Sequence, residues 1–145
     1  MIVRAAKLED AFKFNYDGEE LEVMKKFDWR NQLAIYLQVG VGYIYEDCEK
    51  DIMFAGHYVL SPGVLHFWML FNKDAKNRAK DIIGEFRKLL AANLQSHNVH
   101  RIQTLVYKGN KKDAKFAEAF GFKKEGMLEA FGPGKEDVVM YKVIK

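Results

Sequence analysis

The sequence predicts an α/β (α+β) domain of about seven strands and four or five helices. Three observations carry that expectation. In the middle of the chain, Val41–Glu46, Ile52–Leu60 and Val64–Phe71 are rich in β-branched and aromatic residues, and the turn signals Asp47-Cys48-Glu49-Lys50-Asp51 and Ser61-Pro62-Gly63 separate them. From Ala75 to Leu94 the period changes. Ala79, Ile82, Ile83, Phe86, Leu89, Leu90 and Leu94 recur at three and four, the stripe of an amphipathic helix. Strand, helix and hairpin patterns then follow in turn. With no linker, repeat or low-complexity tract, residues 1–145 are expected to form one domain.

Taken in order, Ile2–Ala5 is a first strand and Leu8-Glu9-Asp10-Ala11 opens a helix, with Ala11, Phe12 and Tyr16 as core contacts. Asp17-Gly18 breaks it, and Leu21, Met24 and Phe27 continue a second short helical stretch. Asp28 is placed to cap a helix carrying Trp29, Leu33, Tyr36 and Leu37, which stops near Gly40. The three middle strands form an antiparallel meander. The long helix ends at Ser96-His97-Asn98, and Val99–Tyr107 is the next strand. Lys111–Phe120 is a helix with Gly121 as its stop. Phe122–Phe131 and Val138–Ile144 close the chain as a hairpin around Gly132-Pro133-Gly134.

Bulk properties exclude several classes. Of the 145 residues, 49% are hydrophobic and 30% charged, the balance of a globular chain rather than a disordered one. No apolar run approaches the roughly 20 residues that span a bilayer, and the charged segment after Met1-Ile2-Val3-Arg4 does not resemble a secretion signal. The single Cys48 cannot form an internal disulfide, so a reducing cytoplasm is expected. A net charge of +3 suits a phosphate-bearing ligand but falls short of a nucleic-acid footprint.

The last third carries the most specific pattern. Ile102–Val106 meets Lys108-Gly109-Asn110, then a short amphipathic helix closed by Gly121-Phe122. Two strands follow, with Glu125-Gly126 on one and Asp137-Val138-Val139-Met140-Tyr141 on the other. This arrangement resembles the C-terminal half of the GCN5-related N-acetyltransferases (GNAT), nearest their RimJ/RimL-like branch. The resemblance implies a mixed central sheet, acetyl-CoA as cofactor, and direct transfer of an acetyl group to a primary amine in a ternary complex. The finish Gly132-Pro133-Gly134-Lys135-Glu136-Asp137 equally resembles small GNAT-fold proteins of bacteriophages. That supplies an alternative: an eroded fold kept as a structural or accessory virion protein. The implied partner is an amine acceptor (protein, peptide or small molecule), with a homodimer or phage virion proteins as further partners, and neither nucleic acid nor membrane.

In that family the junction between strand and long helix is a Gly-rich loop whose backbone N–H groups hold a pyrophosphate, a use of the anion-binding helix N-terminus. Here it reads Asn72-Lys73-Asp74-Ala75-Lys76-Asn77-Arg78-Ala79-Lys80. Aligned on Lys76, Asn77 and Ala79 fall on the two small positions. Ala79 fits; Asn77 departs, although Asn tolerates φ > 0 better than most residues. Lys73, Lys76, Arg78 and Lys80 crowd the helix start, where each cation costs about a few tenths of a kcal/mol. A bound pyrophosphate would reverse that sign; a solvated basic turn, with Asp74 and Asp81 offsetting the charge, is the alternative. The resemblance also implies cofactor contacts at Leu70, Phe71 and Phe116.

Asn110 precedes a helix and is placed as an N-cap, and the resemblance gives its side chain a second contact with the pantetheine arm. Many family members carry on this helix a Tyr that protonates the departing thiolate; the matching position is Ala117. Tyr107 and Tyr141 lie on neighbouring strands and could substitute, or serve only the core. For a base, the central strand offers no carboxylate. His66 is the first choice, sharing a face with Trp68 and Leu70, and Glu46 the second, against the alternative of a hydrogen-bonded core histidine. No metal spacing links the four histidines, and Cys48 has no neighbouring His to activate it. Tyr43, Tyr45, Phe54, Tyr58, Phe67 and Trp68 are first a core, with some free to line an acceptor cleft.

Overall fold

The computed structural model describes residues 1–96 and 98–145; the expectation for His97 lies outside them. Seven strands form one sheet: β1 (Ile2–Ala5), β2 (Gly40–Asp47), β3 (Lys50–Ser61), β4 (Val64–Phe71), β5 (Arg101–Tyr107), β6 (Lys123–Leu128) and β7 (Val138–Ile144). Their spatial order is β1-β2-β3-β4-β5-β7-β6. Every neighbouring pair is antiparallel except β4 with β5. The expected α+β fold with a mixed sheet is what forms. The parallel pair needs a crossover, and the long helix α4 (Ala79–Gln95) supplies it.

Each face of the sheet carries its own core. On one side α4 and α5 (Lys111–Phe120) bury Ile82, Phe86, Phe116 and Phe120 against Phe67, Phe71 and Ile102. Phe86 stacks on Phe120 at 4.2 Å and Phe71 on Phe116 at 4.5 Å. On the other side α1 (Asp10–Lys13), α2 (Leu21–Met24) and α3 (Trp29–Val39) cover Ile44, Phe54, Trp68 and Leu70. Buried on both faces, β4 reads as an apolar run interrupted only by His66, and His66, Trp68 and Leu70 share the α3 side as the period of two requires.

The expected caps are present. Asp28 accepts from Asn31 N at 3.2 Å, and Asn110 from Asp113 N at 3.1 Å. Gly121, at φ 109°, lets Phe122 N reach Ala117 O at 3.0 Å and closes α5. Two differences concern helix starts. Phe12 is exposed, because α1 lasts only four residues before the chain turns back to the sheet. The helix expected from Ala75 begins instead at Ala79, after a 3-10 segment over Lys73–Arg78. The cause is Asn72, buried and extended. Its side chain accepts from Asp17 N at 2.8 Å and donates to Asn15 O and Asp51 O, both at 3.0 Å, pinning the chain before it can coil.

Candidate active site

The parallel pair is short. β4 and β5 are in register from Val64↔Arg101 to Phe67↔Thr104, and there the bridging ends. The Thr104 hydroxyl donates to Phe67 O at 2.9 Å and closes the apex. Beyond it no bridge joins Trp68–Phe71 to Leu105–Tyr107, which leaves a fork between the two strands. Backbone groups that no bridge pairs need another partner.

A recess lies on each side of the fork. On the α3 side a cleft of about 500 Å³ is walled by Met24, Trp29, Tyr36, Trp68 and Leu105, with Phe131 and Pro133 from the β6–β7 loop at its rim. On the other side a groove of about 550 Å³ runs between the start of α4 and α5, floored by Ala79, Ile83, Phe116 and Ala119. Lys76, Lys111, Lys112 and Lys115 ring it. Lys112 is tied to Asn72 O at 2.8 Å; the other three make no ion pair among the described residues.

Of the expected cofactor residues, Lys76, Ala79 and Phe116 line this groove. Leu70 lines the cleft instead, and Phe71 is a buried wall stacked on Phe116. Three expectations need correction. Asn77 lies within the 3-10 segment and is not among the residues with positive φ, so the left-handed conformation expected of it does not occur. Arg78 is clamped by Asp47 at 3.1 Å and Asp81 at 2.9 Å, so its charge serves the fold. Lys80 is exposed and borders neither recess.

Asn110 holds the helix with its oxygen, while its buried Nδ2 makes no full hydrogen bond and lies only near enough to the Glu20 carboxyl to favour its charged form. An orphaned donor costs about 1–3 kcal/mol. A carbonyl-bearing ligand arm passing the end of β5 would satisfy it, so the residues present fit a pantetheine chain.

His66 lines the cleft, and burial pushes its imidazole down to about 4, as neutral as expected. Its partners argue against its acting as the base. Arg101, itself paired with Glu125, donates from Nε to Gln103 Oε1 at 3.0 Å, which turns the Gln103 amide nitrogen toward His66 Nδ1 at 3.3 Å. An amide nitrogen only donates, so Nδ1 accepts and the neutral ring carries its proton on Nε2. His66 is thereby a donor.

Glu46 is not brought to the site. It sits at the end of β2, two strands from β4, and binds Arg4, which also pairs with Asp10 at 3.0 Å. Tyr107 does line the cleft, its phenol pushed up to about 12 by burial. Ala117 is wholly buried in the core, and Tyr141 packs in the same cluster.

Sequence reasoning missed one group. Glu20, just before α2, is buried and borders both the cleft and a smaller adjoining groove containing Tyr107 and Asn110. Burial pushes its carboxyl well above the usual carboxylate range, against the pull of the Asn110 amide and the Tyr107 backbone. Asp113 on α5 is raised too, by burial and by the Glu20 charge. Glu20 is held in place by its backbone N–H on the Tyr16 hydroxyl at 3.1 Å. Gly18, set against Phe71 O where a Cβ would stand 2.2 Å away, brings the loop close. Nothing in Gly18-Glu19-Glu20-Leu21 distinguishes this acid from its neighbour. Lys111 and Lys115, exposed lysines of α5, carry no motif signal either.

The open end of the parallel pair thus lies between a cationic groove and an apolar cleft. Residues 2–136 match the acetyltransferase (GNAT) domain family, and the chain belongs to it. Solved structures share the fold. The ribosomal-protein-S5-alanine acetyltransferase of Vibrio fischeri superposes with a TM-score of 0.72 at 18% identity, covering 98% of this chain and 91% of that one. The ribosomal-protein-alanine N-acetyltransferase of Brucella melitensis gives 0.67 at 15% identity and covers 100% of both. A mutant of spermidine N-acetyltransferase from Vibrio cholerae gives 0.67 at 14%, covering 99% and 95%. No curated protein sequence matches the chain.

Proposed function

We propose that this protein is an N-acetyltransferase that binds acetyl-CoA along the groove and fork and acetylates a primary amine in the cleft. The observation that carries this is the fork itself, open between a groove whose Lys76, Lys111 and Lys115 make no ion pair among the described residues and a recess holding one buried carboxyl. Lys76, Lys111 and Lys115 would hold the phosphates, Ala79 and Phe116 would pack beneath them, and Asn110 Nδ2 would bind the arm. When bound, acetyl-CoA supplies the acetyl group as a thioester open to attack by a neutral amine.

The protein's own residues manage the protons. Glu20 meets an incoming ammonium as an ion pair and takes its proton, because burial favours the uncharged acid. His66 offers its Nε2–H to the cleft as a fixed donor. Tyr107 keeps its proton at neutral pH and could give it to the leaving sulfur, recovering the second proton that the nitrogen loses as the amide forms; this is the role that the family's Tyr would fill at Ala117. No observation favours a virion or assembly role. The test is thiol release from acetyl-CoA, measured with and without amines, and mass detection of the acetylated amine. Release that does not depend on an amine contradicts the proposal.

A further inference from the structure

We infer that the acceptor is a small primary amine carrying one positive charge on an apolar body of aromatic size, seated with its amine at Glu20 and its body against Trp29, Tyr36 and Trp68. The inference rests on the acetyltransferase reading and deepens it. Among the cleft's lining residues Glu20 is the only one with a formal charge, His66 being held neutral. A cleft of about 500 Å³ suits one small molecule rather than a chain. Its walls are pre-arranged: Tyr36 stacks on Tyr58 at 5.0 Å and on Trp68 at 5.9 Å, and Trp68 meets Phe54 edge-on at 5.1 Å. Aromatic walls attract an ammonium and pack against an apolar body, so one carboxylate suffices for one charge.

Two other amine classes fit less well. A polyamine brings further cations, and each would lie unpaired against apolar walls at a high desolvation cost. Of the acids just outside, Glu136 pairs with Lys26 at 2.7 Å and Asp137 accepts from Ala130 N at 2.9 Å, while Glu19 borders the adjoining groove rather than the cleft. A peptide brings backbone amides, each needing a partner, and beyond Glu20 and His66 the lining side chains offer only Gln32, Tyr36, Tyr107 and the indole N–H groups of Trp29 and Trp68.

The test compares 2-phenylethylamine, spermidine and an alanine-terminated peptide as acceptors for the wild-type protein, by thiol release at saturating acetyl-CoA. The expected result is a kcat/KM for phenylethylamine at least tenfold above either alternative. Glu20→Gln should lower that value about 100-fold while acetyl-CoA affinity stays within twofold. Spermidine or the peptide matching phenylethylamine overturns the acceptor class and leaves acetyl transfer standing. Absence of both acetyl-CoA binding and amine-dependent thiol release overturns the two together. The wild-type comparison decides the question even if the variant does not fold.

Discussion

Replacing Asp113 with Asn should separate the two buried acids and expose the work each does. Asp113 is buried in the first turn of α5, and its backbone N–H bond to Asn110 survives the change. Its folded pKa lies above its unfolded value. The folded state therefore holds more protons between those two values, and stability is greatest below the unfolded pKa and falls as pH rises through the folded one. Asn cannot ionise, so that loss disappears. One unit of displacement corresponds to about 1.4 kcal/mol. With solvent relaxation reducing the full effect, the variant should gain about 1–2 kcal/mol at pH 8 and almost nothing at pH 4. That is a rise of roughly 3–6 °C in Tm at pH 8.

The same substitution should leave catalysis through Glu20 nearly unchanged. Apart from burial, the groups acting on that carboxyl are the Asn110 side chain and Tyr107 backbone, which favour its charge, and Glu19, which disfavours it. Asp113 is the acid held up, by burial and by the Glu20 charge, so Glu20 ionises while Asp113 is still protonated and neutral. The acidic limb of kcat/KM should then stay within about 0.3 pH unit of the wild type. Thermal denaturation at pH 4, 6 and 8, with pH–rate profiles on both proteins, measures the two effects. Stability curves that stay parallel across that range would refute the reasoning about the pair.

Lys111→Ala with Lys115→Ala should leave apo stability within about 0.5 kcal/mol, lower acetyl-CoA affinity and flatten its salt dependence, as calorimetry at two ionic strengths would register. Asn110→Ser keeps a capping oxygen and removes the orphaned donor, so affinity should fall while Tm holds; Asn110→Ala should lose both, with about 1 kcal/mol of stability. Arg78→Ala should destabilise the apo protein by about 1 kcal/mol in urea titration, since its two carboxylate partners lose their cation. His66→Gln should keep at least about a tenth of turnover and the same acidic limb in the pH–rate profile, because its accepting nitrogen is already engaged.

Much of the fold was legible because its signals are local. Three strand runs with clean turns, one amphipathic stripe and the caps Asp28, Asn110 and Gly121 each need only their neighbours in sequence. The 3-10 segment was illegible because its cause is Asn72 bonding to residues 15, 17 and 51. The candidate site divides the same way. Lys76, Ala79, Asn110 and Phe116 were expected from the family resemblance; Lys76, Ala79 and Phe116 line the groove, and Asn110 lines the smaller one adjoining the cleft. Arg78 misled because Asp47, its neutralising partner, lies 31 residues away. Glu20 was invisible because its meaning comes from burial beside β5, while its sequence context is an acidic pair in a turn. His66 stood out by type, but its protonation is set by Arg101 and Gln103 on another strand.

The most direct test of the central claim is calorimetric titration of the protein with acetyl-CoA, paired with a melting curve. The account predicts one site per chain and a stabilisation of about 2.7 kcal/mol at 100 times the dissociation constant. No heat and no shift in Tm at millimolar acetyl-CoA would contradict it.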